Sequence, residues 1–192
     1  MIDEYFEQNQ HYEILKTVGP VGELPIHLCV LLEDDGNHDD MIRILKHMIV
    51  KEPTLLFAKY SNGLKESHYN GENLLHLAII RQRFALVKLL LDEQAHYIQH
   101  YRPAEFAKDD LLKAQTNGMF FKVGKPCYYG EYPLAFSICT SQYKVAKLLL
   151  EAGADMNAKD SNGNNILHAL VRNTYVATAH FLPLVNVSLI LQ

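Results

Sequence analysis

The chain has 192 residues, 48% of them hydrophobic and 21% charged, with a formal net charge of -4 at pH 7, enough apolar side chain for one or two domains or a single repeat array. A pI near 6.2 and the lack of any basic run exclude a phosphate-reading nucleic-acid binder. Cys29, Cys127 and Cys139 are scattered without a C-x-x-C pair, which excludes a disulfide framework or zinc ribbon and points to a reducing, cytosolic compartment.

Residues 1–20 open acidic and aromatic, without the basic start and apolar stretch of a signal peptide. They predict a remnant of a preceding structural unit or a linker, with Ile14 and Leu15 packing forward and Gly19-Pro20 ending the helix. A first unit then opens at Gly22-Glu23-Leu24-Pro25-Ile26-His27 and continues into a second apolar helix over 41–50. Between them, residues 33–40 (Glu-Asp-Asp-Gly-Asn-His-Asp-Asp) invite a calcium reading. They fail it: with Gly36 at the invariant glycine, Leu31 falls at position 1 and Ile42 where a bidentate Glu belongs. The expectation is a solvated turn, with Asp39 or Asp40 capping the next helix.

The opening segment recurs as Gly71-Glu72-Asn73-Leu74-Leu75-His76, Gly130-Glu131-Tyr132-Pro133-Leu134-Ala135 and Gly163-Asn164-Asn165-Ile166-Leu167-His168. Second helices are expected over 84–91 and 143–150, where Leu86, Leu89 and Leu90, and Val145, Leu148 and Leu149, recur at helical spacing as core. Gly130 to Gly163 is 33 residues, the ankyrin period, whereas Gly22 to Gly71 is 49 and Gly71 to Gly130 is 59. In the regular junction, 153–168, Gly153 suits a left-handed helix end and 160–163 a tight turn. The chain therefore resembles an ankyrin array: an all-α solenoid of stacked helical hairpins with long finger loops. Its repeats are expected near 22–70, 71–129, 130–162 and 163–192. Residues 172–178 interrupt the last repeat, and 181–191 is expected as its outer helix; at about half the roughly 20 residues a span needs, and containing Pro183 and Asn186, that tail crosses no membrane by itself. Asn186-Val187-Ser188 is read as a chance glycosylation sequon.

Two long insertions depart from the period, 51–69 and 94–129. The second divides into a mixed amphipathic part, 97–115, and an aromatic-basic part containing Phe120, Phe121, Lys122, Lys125, Tyr128 and Tyr129. Exposed aromatics flanked by lysines make a partner-anchoring surface; folded back, the same rings would shield their own loop.

The segments Tyr69-x-Gly71-x-x-x-Leu75-His76-x-Ala78-Ile79, Phe120-Phe121 before Tyr128-x-Gly130-Glu131-x-Pro133-Leu134, Cys139-x-x-Gln142, and Asp160-Ser161-x-Gly163-Asn164-x-x-Leu167-His168 resemble the ankyrin domain of vanilloid-type transient receptor potential (TRP) cation channels. The resemblance covers roughly residues 20–192, the second through fifth of six repeats, and none of the pore. It implies a non-enzymatic interaction module on the cytosolic face of the plasma membrane, supporting subunit assembly and gating of a calcium-permeable channel. The finger residues Tyr69, Phe120, Phe121, Lys122, Lys125, Tyr128 and Tyr129 would meet other channel subunits in a homo- or hetero-tetramer and the channel's cytosolic segments. In some members the concave surface binds ATP or calmodulin. The lysines of ATP-binding members fall at Glu23 and Leu28, and their glutamine and glutamate at Glu72 and Ile80, leaving only the adenine-stacking Tyr69. Near a triphosphate, Lys replaced by Glu turns an attraction of a few kcal/mol into repulsion at an effective dielectric of about 20. No cofactor is expected, and calorimetry with ATP should show no micromolar binding. The alternative reading is a free-standing ankyrin adapter for a soluble partner.

His27, His76 and His168 occupy the position whose ring bonds turn backbone in ankyrin repeats, a structural role. His96 and His100 would face one metal ion on a helix, but no third ligand is placed nearby and Pro103 interrupts, so no metal site is expected. No nucleophile elbow, H-E-x-x-H, Walker A or G-x-G-x-x-G sequence assigns an active site.

Overall fold

A computed structural model of the chain describes residues 12–34, 36–61, 69–101, 110–116 and 131–171. In chain order they form a short 3-10 turn (Tyr12–Lys16), α1 (Pro25–Leu31), α2 (His38–Lys51), a second 3-10 turn (Pro53–Phe57), α3 (Leu74–Ile80), α4 (Phe84–Tyr101), a third 3-10 turn (Leu111–Lys113), α5 (Pro133–Cys139) and α6 (Tyr143–Glu151). Helical backbone resumes at 166–171. Among the described residues there is no strand, only an isolated antiparallel bridge between Lys59 and Asn73.

Seven-residue helices such as α1, α3 and α5 are unstable alone in water. What holds them is burial on both sides. α1, α3 and α5 are the inner helices, stacked in sequence, and each pairs with the outer helix that follows it, α2, α4 and α6. In the central inner helix Leu74, Leu75, His76, Leu77, Ala78 and Ile79 are all buried; a fully buried Leu or Ile contributes about 1.5–3 kcal/mol by leaving water. The outer helices bury one stripe each: Leu45, Met48 and Ile49 in α2, Val145, Ala146 and Leu149 in α6. Leu89 and Leu148, expected as core, are half-buried and pack against it. This is the all-α ankyrin solenoid expected from the repeats.

Four expectations require correction. The helix expected over 84–91 continues to Tyr101, because Gln94 and Tyr97 on its far half are buried: Tyr97 packs edge-on against Phe57 at 5.1 Å, and Gln94 accepts the Leu111 N–H at 2.6 Å. The insertions are therefore part scaffold, since Leu55 and Leu56 of the first and Leu111 and Leu112 of the second are core residues. In the acidic turn Glu33 is buried rather than solvated, held between Arg83 Nε (2.9 Å) and His38 Nδ1 (2.6 Å). Asn37, not Asp39 or Asp40, stands at the N-cap of α2; Asp34 Oδ1 accepts the Gly36 and Asn37 N–H groups instead. Finally, Leu15 packs forward as expected, but Ile14 is half-exposed.

The repeats are stitched at the turns between inner and outer helices. Gln142 Nε2–H donates back to the Ile79 carbonyl at 2.6 Å, and Arg83 donates back to the Glu33 carbonyl at 3.3 Å. Arg83 and Gln142 sit at the same position of successive repeats, each immediately before its outer helix. The Cys139-x-x-Gln142 spacing thus carries an inter-repeat bond.

Candidate functional site at the finger bases

The first finger rejoins the stack at a junction glycine, Gly71. Tyr60 N–H donates to the Glu72 carbonyl and Gly71 N–H to the Tyr60 carbonyl, both at 2.7 Å. Gly71 has φ +81°, a left-handed backbone that a side chain would strain. Residues 62–68, the finger tip, lie outside the described residues. Tyr69 is half-buried with its ring 5.5 Å from Tyr60, and Tyr60 stands 5.4 Å from His27. A file of three rings therefore runs from the finger into α1. Of the sequence-predicted contact residues, Tyr69 is the one within the described residues; Phe120, Phe121, Lys122, Lys125, Tyr128 and Tyr129 lie outside them.

The histidines fasten these bases. The Leu24 N–H donates to His27 Nδ1 at 2.9 Å, leaving Nε2–H to donate to the Ala58 carbonyl at 3.2 Å. His76 repeats the pattern, with the Asn73 N–H at 3.3 Å and the Glu131 carbonyl at 3.2 Å. A carbonyl only accepts, so in His27 Nε2 carries the proton and Nδ1 the lone pair; His76 Nδ1 also lies 2.8 Å from Asn73 Oδ1. Each ring closes the start of its own inner helix and reaches the base of the next finger. Burial lowers the pKa of both, that of His76 to about 3, so both are neutral at pH 7. His168 keeps the first half of the pattern, its Nδ1 lying 3.2 Å from the Asn165 backbone nitrogen and 2.8 Å from Asn165 Oδ1.

The second finger leaves from Gln115 and Thr116 and returns at Glu131, with the Thr116 N–H on the Glu131 carbonyl at 2.8 Å. The Glu131 carboxylate is buried and fully employed. It accepts Gln115 Nε2–H at 2.5 Å, the Ser161 N–H at 2.8 Å and the Ser161 hydroxyl. It joins the second insertion to the regular junction that follows. In that junction Asp160 Oδ1 accepts the Asn162 and Asn164 N–H groups at 2.9 and 2.7 Å. Gly153 and Gly163 have φ +96° and +80°.

Glu72 holds the same place after its own glycine and differs. It is fully buried, and neither carboxylate oxygen has a hydrogen-bond partner among the described residues; burial pushes its pKa up to about 9. In the sequence Glu72 stands out only as a repeat-start residue and a position of the absent nucleotide site; the structure marks it as an acid with no donor among the described residues. Of the other positions matching that site, Glu23 is turned onto the Val21 N–H at 3.0 Å, Leu28 is exposed and Ile80 half-buried. Among the described residues no helix is long and apolar enough to cross a membrane.

The ankyrin-repeats family model, in three copies, matches residues 49–160. The chain is also similar to transient receptor potential cation channel subfamily V member 1 of Canis lupus familiaris, 36% identical over 143 residues, 71% of this chain and 15% of the relative. Member 6 of the same subfamily from Homo sapiens is 30% identical over 156 residues, 80% of this chain and 17% of the relative. Member 4 from Homo sapiens is 32% identical over 148 residues, 73% of this chain and 15% of the relative. The chain thus spans a minor part of the length of the curated relatives it matches. With the stacked hairpins, the glycine-started inner helices and these matches together, the chain belongs to the ankyrin-repeat family, in the form found in vanilloid-type TRP channels.

Proposed function

We propose that this chain acts as a cytosolic interaction module of a calcium-permeable, vanilloid-type channel, supporting subunit assembly and gating control at the inner face of the plasma membrane. The observation that carries it is the set of hydrogen bonds and ring contacts that fasten the finger bases. Backbone pairs at 2.7 Å and the Tyr69–Tyr60–His27 file fix the first, and the Glu131 hydrogen bonds fix the second. Loops presented from a rigid scaffold are where repeat proteins recognise partners. On this reading the repeats divide near 22–70, 71–129, 130–162 and 163–192, after a partial repeat or linker in 1–20.

The contact residues are Tyr69, Phe120, Phe121, Lys122, Lys125, Tyr128 and Tyr129, and the partners are neighbouring subunits, the channel's cytosolic segments and calmodulin. Large rings anchor such contacts, and losing one at an interface centre costs about 2 kcal/mol or more. Phe120→Ala with Phe121→Ala is expected to leave the far-ultraviolet circular dichroism and melting of the chain unchanged. It should reduce pull-down of the remaining cytosolic channel segments more than tenfold, the equivalent of about 1.4 kcal/mol. An unchanged pull-down from a folded double variant would count against the fingers as the contact.

A further inference from the structure

We propose that His96 and His100 form a two-point clamp for a divalent transition-metal ion of the zinc, nickel or copper class. This goes against the expectation from the spacing, which placed no metal site here, since two histidines four apart share a face only on a helix. α4 runs through both, to Tyr101, so they lie one turn apart on a single stripe. Their rings stack with centroids 4.1 Å apart and planes inclined by 27°, so the exposed His96 ring has to turn about its side-chain bonds to bring a nitrogen onto an ion held by the exposed His100.

The tautomer of His100 is set for coordination. Its Nδ1–H donates to the His96 carbonyl at 2.9 Å, which leaves the lone pair on Nε2. A ligating imidazole needs this arrangement: one nitrogen tied to backbone through its proton, the other free to bind the ion. Asp92 is exposed one turn before His96, at the same four-residue step along the helix. Among the described residues no group of three or more His, Cys, Asp or Glu is placed to hold a metal, so an ion held here completes its shell with water. Two imidazole nitrogens and open water positions suit zinc, nickel or copper and not calcium or magnesium, which take oxygen ligands.

Titrating nickel, zinc and copper chlorides into the full chain, followed by calorimetry, tests this. The wild type should bind one ion per chain at this helix, copper more tightly than nickel or zinc, and both His96→Ala and His100→Ala should lose that binding. Because both side chains are exposed, the variants should melt like the wild type without metal; excess ion should raise the melting point of the wild type alone. Absence of saturable binding to the wild type, or its survival in both folded variants, would overturn the clamp.

Discussion

Glu131 and Glu72 occupy one position in successive repeats, each directly after the junction glycine and each buried, yet they live in opposite surroundings. Glu131 meets donors from Gln115 and from both the backbone and hydroxyl of Ser161, so its charge is useful: it binds an insertion and the following turn to one point. Glu72 meets no donor among the described residues, and burial keeps its proton on, with a pKa of about 9. A repeated residue need not do a repeated job. Whether a buried carboxyl stabilises is decided by the donors that its neighbours bring.

The strongest break in this comparison is Glu131→Ala. Hydrogen bonds to a charged group contribute about 1.5–3 kcal/mol each, and removing the carboxylate also strands the Gln115 and Ser161 donors. The expected loss is about 3 kcal/mol in urea unfolding, with the 110–116 segment losing amide protection first. A loss within about 0.5 kcal/mol would mean that these bonds do not hold the junction.

Glu72→Gln should act in the other direction, and its sign depends on pH. The unfolded carboxyl titrates near its ordinary 4.5 and the folded one near 9. Between those values folding takes up a proton, so stability falls as pH rises through the window, by up to about 1.4 kcal/mol per unit. An amide has no charge to suppress, though it remains a buried polar group short of partners. Glu72→Gln is therefore expected to flatten the alkaline limb and gain on the order of 1–3 kcal/mol at pH 8, with no gain near pH 5. The acid limb belongs to His76 and, in the same direction, His27, whose pKa burial also lowers. The His76 pKa falls from 6.5 to about 3 on burial, so the unfolded chain takes up the proton and the His76 contribution to stability falls as pH drops below 6.5, opposing that of Glu72 down to 4.5. Unfolding curves from pH 4 to 9 that keep the alkaline slope in the Glu72 variant would assign that slope elsewhere.

How much of this was legible in the sequence follows from the range of the forces. Local backbone demands were readable. Gly22, Gly71, Gly153 and Gly163 have positive φ, and His27 and His76 cap inner helices three residues from their N-caps. Long-range partners were not. Polar Gln94 and the pair His96 and His100 broke the apolar pattern of α4, and only contact with Leu111 and Phe57 explains why the helix goes on. Likewise Leu55 and Leu56 looked like insertion because their core lies elsewhere in the chain. The difference between Glu72 and Glu131 was invisible, since both follow Gly and the deciding donors are 16 and 30 residues away from Glu131. Of the contact residues read from the insertions, Tyr69 alone can be placed within the described residues.

The smallest expected effect asks whether the two repeats also differ away from their carboxyls. Where the inner helix of each ends, the same hydrogen bonds recur: Gln82 N–H on the Ile79 carbonyl and Arg83 N–H on that of Ala78, then Ser141 N–H on Ile138 and Gln142 N–H on Ser137. This is the helix end that places one residue in the left-handed region and favours glycine there. Gln82 and Ser141 instead hold it at φ +57° and +60°. α6 ends in the same way at Gly153, with Gly153 N–H on the Leu150 carbonyl and Ala154 N–H on that of Leu149. A Cβ at Gly153 would meet nothing within 4 Å, so Gly153→Ala should lose about 1 kcal/mol through backbone conformation alone. The exposed Gln82 gives the reverse change, and Gln82→Gly should gain about 0.5–1 kcal/mol in the same urea series. Equal and opposite shifts would mean that the left-handed backbone angle alone sets the cost at both helix ends. A Gln82→Gly variant that loses stability would show that its side chain, rather than its backbone angle, governs that turn.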